Sequence, residues 1–331
     1  MERQRKIENW LGDLYPGRHF ILTPASADAS FRRYFRATDG AGATFVVMDA
    51  PPQREDCAPW LHVQQLFEAA GVHVPHVHAQ DLAHGFLLLS DLGATTYLNA
   101  FSADNTRALY DDAIDALIRI QCASRPDELP VYDRALLKRE LDLFPDWYIA
   151  RHLNITLTDA QQKTLATAFD KILAVNLAEP QVYVHRDYHS RNLMVASPNP
   201  GIIDFQDAVY GPISYDLVSL FKDAYVQWPE ELVLDWVVRY WQKARQAGLP
   251  VRADFGEFYR DYEWMGVQRH IKVLGIFARL WHRDGKDGYL KDMPLVMSYL
   301  RTACERYRDL GPLLKLLDEL EGRQVQVGYT F

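Results

Sequence analysis

Residues 182–207 read VYVHRDYHSRNLMVASPNPGIIDFQD, and apolar runs alternate with polar loops throughout the stretch. Val182-Tyr183-Val184, Leu193-Met194-Val195 and Ile202-Ile203 are short and apolar, and Ser197-Pro198-Asn199-Pro200-Gly201 supplies turn chemistry between the last two. The pattern predicts short buried strands around one polar loop, His185-Arg186-Asp187-Tyr188-His189-Ser190-Arg191-Asn192, with Asp204 closing the last strand.

Outward from this stretch the two directions differ. From Ala94 onward the periodicity is otherwise helical, predicting helices near 105–122, 134–153, 158–177, 213–226, 230–247, 257–281, 289–308 and 312–320. Before residue 94 the chain is rich in strands. After a helix over 1–14, the runs Phe31 to Thr38 and Ala43 to Met48 flank Asp39-Gly40-Ala41-Gly42 and predict a β-hairpin. A helix over 59–70 stops at Gly71, and strands follow over 77–80 and 86–89. There is no internal repeat or long linker, so Ser90 to Gly93 reads as a short hinge between residues 1–92 and 93–331. The C-terminal residues 324–331 alternate like a strand with no evident partner.

The composition limits the function. With 331 residues, 48% of them hydrophobic, there is material for one large domain or two lobes. The net charge of −8 argues against a broad nucleic-acid or anionic-lipid footprint, though not against a local basic pocket. Cys57, Cys122 and Cys304 are odd in number and widely spaced, which gives neither a disulfide framework nor a zinc pattern and suits a reducing cytoplasm. No secretory h-region and no membrane-length apolar run occurs, so the expectation is a soluble cytoplasmic protein with no nucleic-acid or membrane partner, monomer favoured.

The polar loop has the order His-Arg-Asp, four residues, Asn, and Asp204 follows Asn192 by twelve residues. That order fits phosphoryl transfer: a carboxylate orients the acceptor hydroxyl and takes its proton, while an amide oxygen and a second carboxylate hold a metal against phosphates. Oxygen ligands beside phosphate suit Mg²⁺. Taken singly, Asp187 and Asn192 are turn formers, His185 a satisfied loop histidine and Asp204 a strand end. Their joint order on the predicted loop and strand favours the catalytic reading.

VHRDYHSRNLMV together with GIIDFQDAVYGPISYDLVSL resembles the aminoglycoside phosphotransferase and choline kinase superfamily. ADASFRRYFRA, FVVMDAPP and QRHIKVLGIFARLWHRDGK look like the bacterial anomeric sugar kinases that phosphorylate N-acetylmuramate and N-acetylglucosamine at C1 in cell-wall recycling. The resemblance spans about residues 20–310 and implies a bilobal α+β protein-kinase-like fold: a small antiparallel-sheet N-lobe and a larger, mainly helical C-lobe. It further implies ATP and Mg²⁺, with Asp187 as base, Asn192 and Asp204 as metal ligands, and His185 and Arg186 bracing the loop. Ser90-Asp91-Leu92-Gly93 would receive adenine between walls drawn from Phe45, Val47, Leu89 and Leu193. Asp216 resembles a structural aspartate of the superfamily and equally fits an ordinary first-turn acid.

Two departures are plain. No glycine-rich phosphate loop is present, and the small-residue segment from Ala25 to Ser30 is the candidate substitute. The strand Thr44 to Asp49 has no lysine where the superfamily usually places one for phosphate; Met48 or Asp49 falls there, and Arg32 or Arg33 is the candidate clamp. Glu68, the one acid of helix 59–70, receives no role.

For the acceptor, a small-molecule sugar, the candidates are His189, Arg191, Gln206, Asp207, Trp264 and Arg269. His270, His282 and Arg283 are further cations for a lactyl carboxylate. Gln206 and Asp207 equally suit ordering of the loop, and residues 282–288 read as a loop able to close over the site. An aminoglycoside or choline-type acceptor and a non-catalytic nucleotide-binding regulator are the competing functions.

Overall fold

A computed structural model describes residues 2–27 and 31–323. Ser30 and the alternating C-terminal segment 324–331 lie outside the described residues. Spatial proximity divides the chain into two compact units, residues 1–123 with 191–207 and residues 124–190 with 208–331.

The first unit starts with helix α1 (Glu2–Leu14), whose Ile7 and Leu11 are buried one turn apart. Strands β1 (Phe20–Ala27), β2 (Arg33–Asp39) and β3 (Thr44–Asp49) follow, then α2 (Ala58–Ala69), β4 (Val77–Asp81) and β5 (Phe86–Ser90). The five strands form one antiparallel sheet in the order β1-β2-β3-β5-β4. The predicted β2–β3 hairpin is present, with Asp39 Oδ1 accepting from the amides of Ala41 and Ala43 and Gly42 at φ +86°.

Strand β1 was not expected from the sequence, which reads Ala25 to Ser30 as a loop. Its Pro24 reads as a strand breaker, but β1 is an edge strand and its register shifts between Pro24 and Ser26, where a proline is tolerated. Ala25 and its neighbours therefore belong to a strand rather than wholly to a phosphate loop.

Directly paired residues share a face, so Val47 with Leu88 and Val46 with Leu89 mark opposite faces of the sheet. The Val47 face packs on α1, in a core of Ile7, Leu11, Ala37, Val47, Phe86 and Leu88 bordered by Phe35 and Phe45. After β5 come α3 (Tyr97–Ala100) and α4 (Thr106–Cys122).

The second unit begins with α5 (Arg134–Leu141). The expected single helix over 134–153 is instead interrupted after α5, and Phe144–His152 winds as a π-helix with Pro145 in its first turn. Gly275 makes room there: a Cβ at this position would lie 2.5 Å from the Leu143 carbonyl carbon. Helix α6 (Asp159–Asn176), with a Thr158–Gln161 capping box, leads into β6 (Gln181–Val184).

Strands β7 (Leu193–Met194) and β8 (Gly201–Ile202) form a hairpin that belongs to the first unit, where Ile202 N–H donates to the His73 carbonyl at 2.8 Å. Strand β9 (Val209–Pro212), whose Gly211-Pro212 reads as turn rather than strand, pairs with β6 in the second unit. Helices α7 (Tyr215–Phe221), α8 (Glu230–Gln246), α9 (Phe255–Asp284), α10 (Met293–Arg306) and α11 (Gly311–Glu321) complete it. Helix α7 stops at Phe221, well before the expected residue 226, whereas α9 runs on to Asp284 and is capped by Gly285 at φ +68°. Residues 282–284 are thus helix, not the start of a loop.

Candidate active site

In the second unit, β6 delivers the polar loop and α7 fixes it from both ends. The Asp216 carboxylate, in the first turn of α7, accepts from the amides of His185 (2.7 Å) and Arg186 (3.0 Å). Just past the C-terminus of α7, Asp223 accepts from the Ser190 amide (3.0 Å) and hydroxyl (2.5 Å). Between these anchors Arg186 sits at φ +76°, a backbone state of the kind that persists where the surroundings over-determine it. His185 is buried, and its Nδ1 accepts from the Asp187 amide at 3.2 Å.

The side chains below the loop form a network of buried charge. Arg186 pairs with Glu140, which also accepts from Tyr132 Oη and from Gln268 Nε2 (3.3 Å). Lys272 lies 3.2 Å from Glu140 and donates to Tyr215 Oη at 2.8 Å. Arg269 donates to the Arg186 carbonyl at 2.7 Å and lies 3.5 Å from Asp187 Oδ1. Burial alone would raise the pKa of Glu140, but Lys272 and Arg186 hold it below the usual range.

Asp187 is where this charge is directed. Burial works against its ionisation, yet Lys272, then Arg269 and His189, hold its carboxyl well below the ordinary carboxylate range. Its side chain keeps 42% of its surface accessible. Asp216 goes the other way: burial lifts it to about 7 despite the two amides and Arg269.

In the first unit, Asp204 follows β8 at φ +64°. Its oxygens accept from Asn192 Nδ2 (3.2 Å) and Gln206 Nε2 (2.9 Å), and Ile203 N–H donates to the Asn192 carbonyl at 3.1 Å. Phe205, next in sequence, packs on Trp60 and Phe67 of α2 with ring centroids 5.1 and 5.8 Å away. Two oxygen-bearing side chains held side by side, with no sulfur or imidazole in the set, fit a hard divalent cation such as Mg²⁺.

The remaining expected nucleotide residues fall in several places. Leu89 and Leu193 are buried, whereas Val47 lies on the opposite sheet face from Leu89, in the α1 core with Phe45 beside it, and does not share a wall with it. Asp91 accepts from Arg36 at 2.6 and 3.0 Å and from the Gly93 amide at 3.0 Å, while Arg36 also reaches the Gly93 carbonyl at 2.9 Å. Arg36, unread in the sequence, thus braces the hinge. Arg33 pairs with the buried Asp49, which Arg3 of α1 also binds. Arg32 precedes β2, and Glu68 pairs with His76 at 2.8 Å.

The acceptor candidates also divide. His189 stays beside the loop, with its ring edge-on to Tyr225 at 5.4 Å. Gln206 bonds Asp204 and sits 3.4 Å from the exposed Asp207, and Arg191 is half-buried. Trp264, only 2% exposed, is core: it packs on Tyr307 under Arg260 and is not at an acceptor surface. Arg269 is committed to the loop carbonyl and Asp187, so it is not an unengaged cation for substrate. His270 is likewise buried, its ring stacked on Tyr299 and its pKa driven down to about 3 by burial and Lys222.

Residues missed in the sequence are Glu140, Lys272, Tyr132, Tyr215 and Asp223. Their one signal was buried-side polarity: Glu140 and Lys272 occupy positions on α5 and α9 where helical spacing calls for apolar residues.

A family model described as "Phosphotransferase enzyme family" matches residues 21–255. The N-acetylmuramate/N-acetylglucosamine kinase of Neisseria meningitidis serogroup B is 52% identical over 336 residues, covering 100% of both chains. The protein of that name from Pseudomonas putida is 53% identical over 300 residues, covering 91% of this chain and 88% of its own. Among solved structures, a choline/ethanolamine kinase family protein from Mesorhizobium loti superposes with a TM-score of 0.61 at 14% identity, over 96% of this chain and 99% of its own. An ADP-bound aminoglycoside phosphotransferase gives 0.57 at 15% identity, over 89% and 97%. At such identities these two structures bear on the fold alone.

Proposed function

We infer the activity from one premise, that the chain belongs to the phosphotransferase enzyme family. It has the α+β protein-kinase-like fold and is a kinase that transfers phosphate to a hydroxyl, acting on a sugar of cell-wall recycling. We propose N-acetylmuramate and N-acetylglucosamine as the acceptors, after the names of the relatives at 52% and 53% identity, and the anomeric C1 hydroxyl as the point of transfer.

The observation that carries the chemistry is the accessible Asp187 carboxylate, 3.5 Å from Arg269 and held ionised by Lys272 and Arg269. Asp187 orients the acceptor hydroxyl and takes its proton as the new O–P bond forms and the bond from the γ-phosphorus to the β-phosphate oxygen breaks, releasing ADP. A carboxylate held this low is a weak base, which suits the anomeric hydroxyl, more acidic than an ordinary alcohol. His185, Arg186, Asp216 and Asp223 position the loop. Asn192 and Asp204 would hold Mg²⁺, whose charge neutralises the phosphates when bound, and Gln206 orders the Asp204 carboxylate.

For the nucleotide we assign residues 1–92 as the binding lobe and 93–331 as the catalytic and acceptor lobe, with adenine received by the Arg36-braced backbone at Asp91 to Gly93 beside Leu89 and Leu193. Arg32 is the phosphate clamp, because it lies next to Arg33, whose side chain the β2–β3 register turns to the α1 face with Asp49, so that alternation turns Arg32 to the other face. We place the enzyme in the cytoplasm, in keeping with its three free cysteines; among the described residues no helix is long and apolar enough to cross a membrane.

Phosphorus NMR of a mixture of N-acetylmuramate, N-acetylglucosamine, kanamycin and choline with ATP and Mg²⁺ tests this reading. The expected product shows a phosphate signal coupled to an anomeric proton. Phosphorylation of kanamycin or choline alone would overturn it.

A further inference from the structure

Helix α7 ends at Phe221, and the chain from Lys222 to Pro229 runs without regular structure until α8 begins. This segment is nonetheless pinned within the second unit. Buried Asp223 uses one carboxylate oxygen to hold the Ser190 amide and hydroxyl, and the other to accept from the Tyr225 amide at 3.1 Å. His270 Nε2 lies 3.3 Å from the Lys222 carbonyl, and Tyr299 Oη donates to the Val226 carbonyl at 3.4 Å.

One carboxylate therefore ties the backbone of Tyr225 to the loop that carries Asp187. A side-chain contact makes the same link: the His189 ring stands edge-on to the Tyr225 ring at 5.4 Å, and the His189 amide donates to the Asp187 carbonyl at 3.0 Å. On its other side Tyr225 meets Phe277 of α9 at 6.2 Å, and Phe277 meets Tyr289 at 5.1 Å. His270 and Phe277 are seven residues apart and so share one face of α9, which is the face that meets this segment. Phe277 is buried and anchors the row in the core, whereas His189, Tyr225 and Tyr289 are half-buried.

A row of rings thus starts at the catalytic loop, and a pinned loop supplies its second member. Loops held by a rigid frame are where binding groups are carried, and a ring fixed in advance loses little entropy when a ligand arrives. A pyranose has polar hydroxyl edges and a face of C–H groups that offers no strong hydrogen bond, and an aromatic ring is the side chain that covers such a face. We propose that Tyr225, held in place by Asp223 and His189, is the platform on which the C–H face of the acceptor's pyranose ring packs. The assignment rests on the sugar-kinase reading above. Because N-acetylmuramate and N-acetylglucosamine share that ring, Tyr225 serves both sugars alike.

Initial rates over titrations of each sugar and of ATP, for the wild type, Tyr225→Leu and Tyr225→Phe, test it, with melting temperatures to compare folding and proton NMR of N-acetylglucosamine bound to the wild type. Tyr225→Leu keeps apolar bulk without a ring and is expected to raise KM about 3- to 10-fold for both sugars, and less than about twofold for ATP. Tyr225→Phe should recover most of that loss, because it returns the ring without the hydroxyl. In the wild type the ring current should move the pyranose C–H signals upfield on binding, a readout that does not depend on how the variants fold. An unchanged sugar KM in Tyr225→Leu, an equal loss in Tyr225→Phe, an equal rise in KM for ATP, or no upfield shift in the wild type would overturn the assignment. A wild type that phosphorylates neither sugar would instead overturn the sugar-kinase reading, and the assignment with it.

Discussion

Asp187 lies 3.5 Å from Arg269 and is kept ionised by Lys272 and Arg269, whereas Asp204 accepts hydrogen bonds from the neutral amides of Asn192 and Gln206 among its partners. The first carboxylate is organised before any ligand arrives: Glu140 fixes Arg186 and Lys272, and Asp216 and Asp223 pin the loop ends. The two amide bonds to the second are neutral, exchangeable bonds that a divalent cation can displace. Charge assistance makes a hydrogen bond roughly twice as strong as a neutral one, so the two sites differ in how much rearrangement a ligand can cause. The proposed base, Asp187, belongs to a frame of paired charges, and Asn192 with Asp204, the proposed metal pair, is arranged to be completed by what binds it.

The largest effects should expose that difference. Asp187→Asn is expected to lower kcat by about 10²- to 10⁴-fold with ATP binding nearly intact, and added Mg²⁺ should restore none of it. Asp204→Asn should also lose most turnover, but with the remaining rate rising as Mg²⁺ is raised above the wild-type requirement. Rate assays across a Mg²⁺ titration, paired with ATP binding by calorimetry, decide the matter. Equal rescue of both variants by metal would break the contrast between the two carboxylates.

A smaller effect concerns the clamp on the loop. Asp216 titrates at about 7, against an ordinary value of 3.8, so the folded protein holds this proton more tightly than the unfolded chain does. Its contribution to stability is complete below about pH 4 and is lost as pH rises through about 7. Asp187, held low, contributes with the opposite sign: its share is present above its ordinary value and lost on acidification. Asp216→Asn should therefore flatten the decline in melting temperature between about pH 4 and 7. It should also lower kcat about tenfold, since one of the two amide acceptors is replaced by a donor. Calorimetric melts of both proteins over this window check the sign, and an unchanged slope would mean that Asp216 is already ionised at pH 4.

Much of this arrangement was legible in the sequence because it is local. The order of Asp187, Asn192 and Asp204 lies within one stretch, and each of the three occupies the loop or strand end that its spacing predicted. The hairpin at Asp39 to Gly42 and most helices were legible for the same reason, since turn residues and apolar period act over a few positions. Glu140, Asp223 and Lys272 were not, because their meaning depends on partners 46, 33 and 132 positions distant: Arg186 for Glu140, Ser190 for Asp223, and Glu140 in turn for Lys272. The first of these separations alone exceeds any periodic signal. Trp264 failed in the opposite sense. Its ring suggested sugar stacking, but α9 is buried around most of its circumference there, and a tryptophan at helical spacing is usually core. Val47 was assigned to the adenine wall without a register, and a register is what decides which face a strand residue takes.

The smallest expected effect separates Arg32 from Arg33. Arg33 is paired across the β2–β3 register with Asp49, a carboxylate with no solvent exposure that Arg3 also binds, so its guanidinium is spent on the α1 side of the sheet. Removing it leaves Asp49 with Arg3 still in place, and the loss should appear as about 1 kcal/mol of stability with little change in the nucleotide constant. Arg32 precedes β2 by one residue, and strand alternation turns neighbouring side chains to opposite faces, away from the α1 core. As the phosphate clamp, Arg32 should raise KM for ATP about 3- to 10-fold on replacement by alanine, while Arg33→Ala raises it less than about twofold. Initial rates over an ATP titration for the two variants check the ranking. A larger KM effect from Arg33 would mean that the Asp49 pair opens when nucleotide binds, and that this charged frame is as exchangeable as the amides around Asp204.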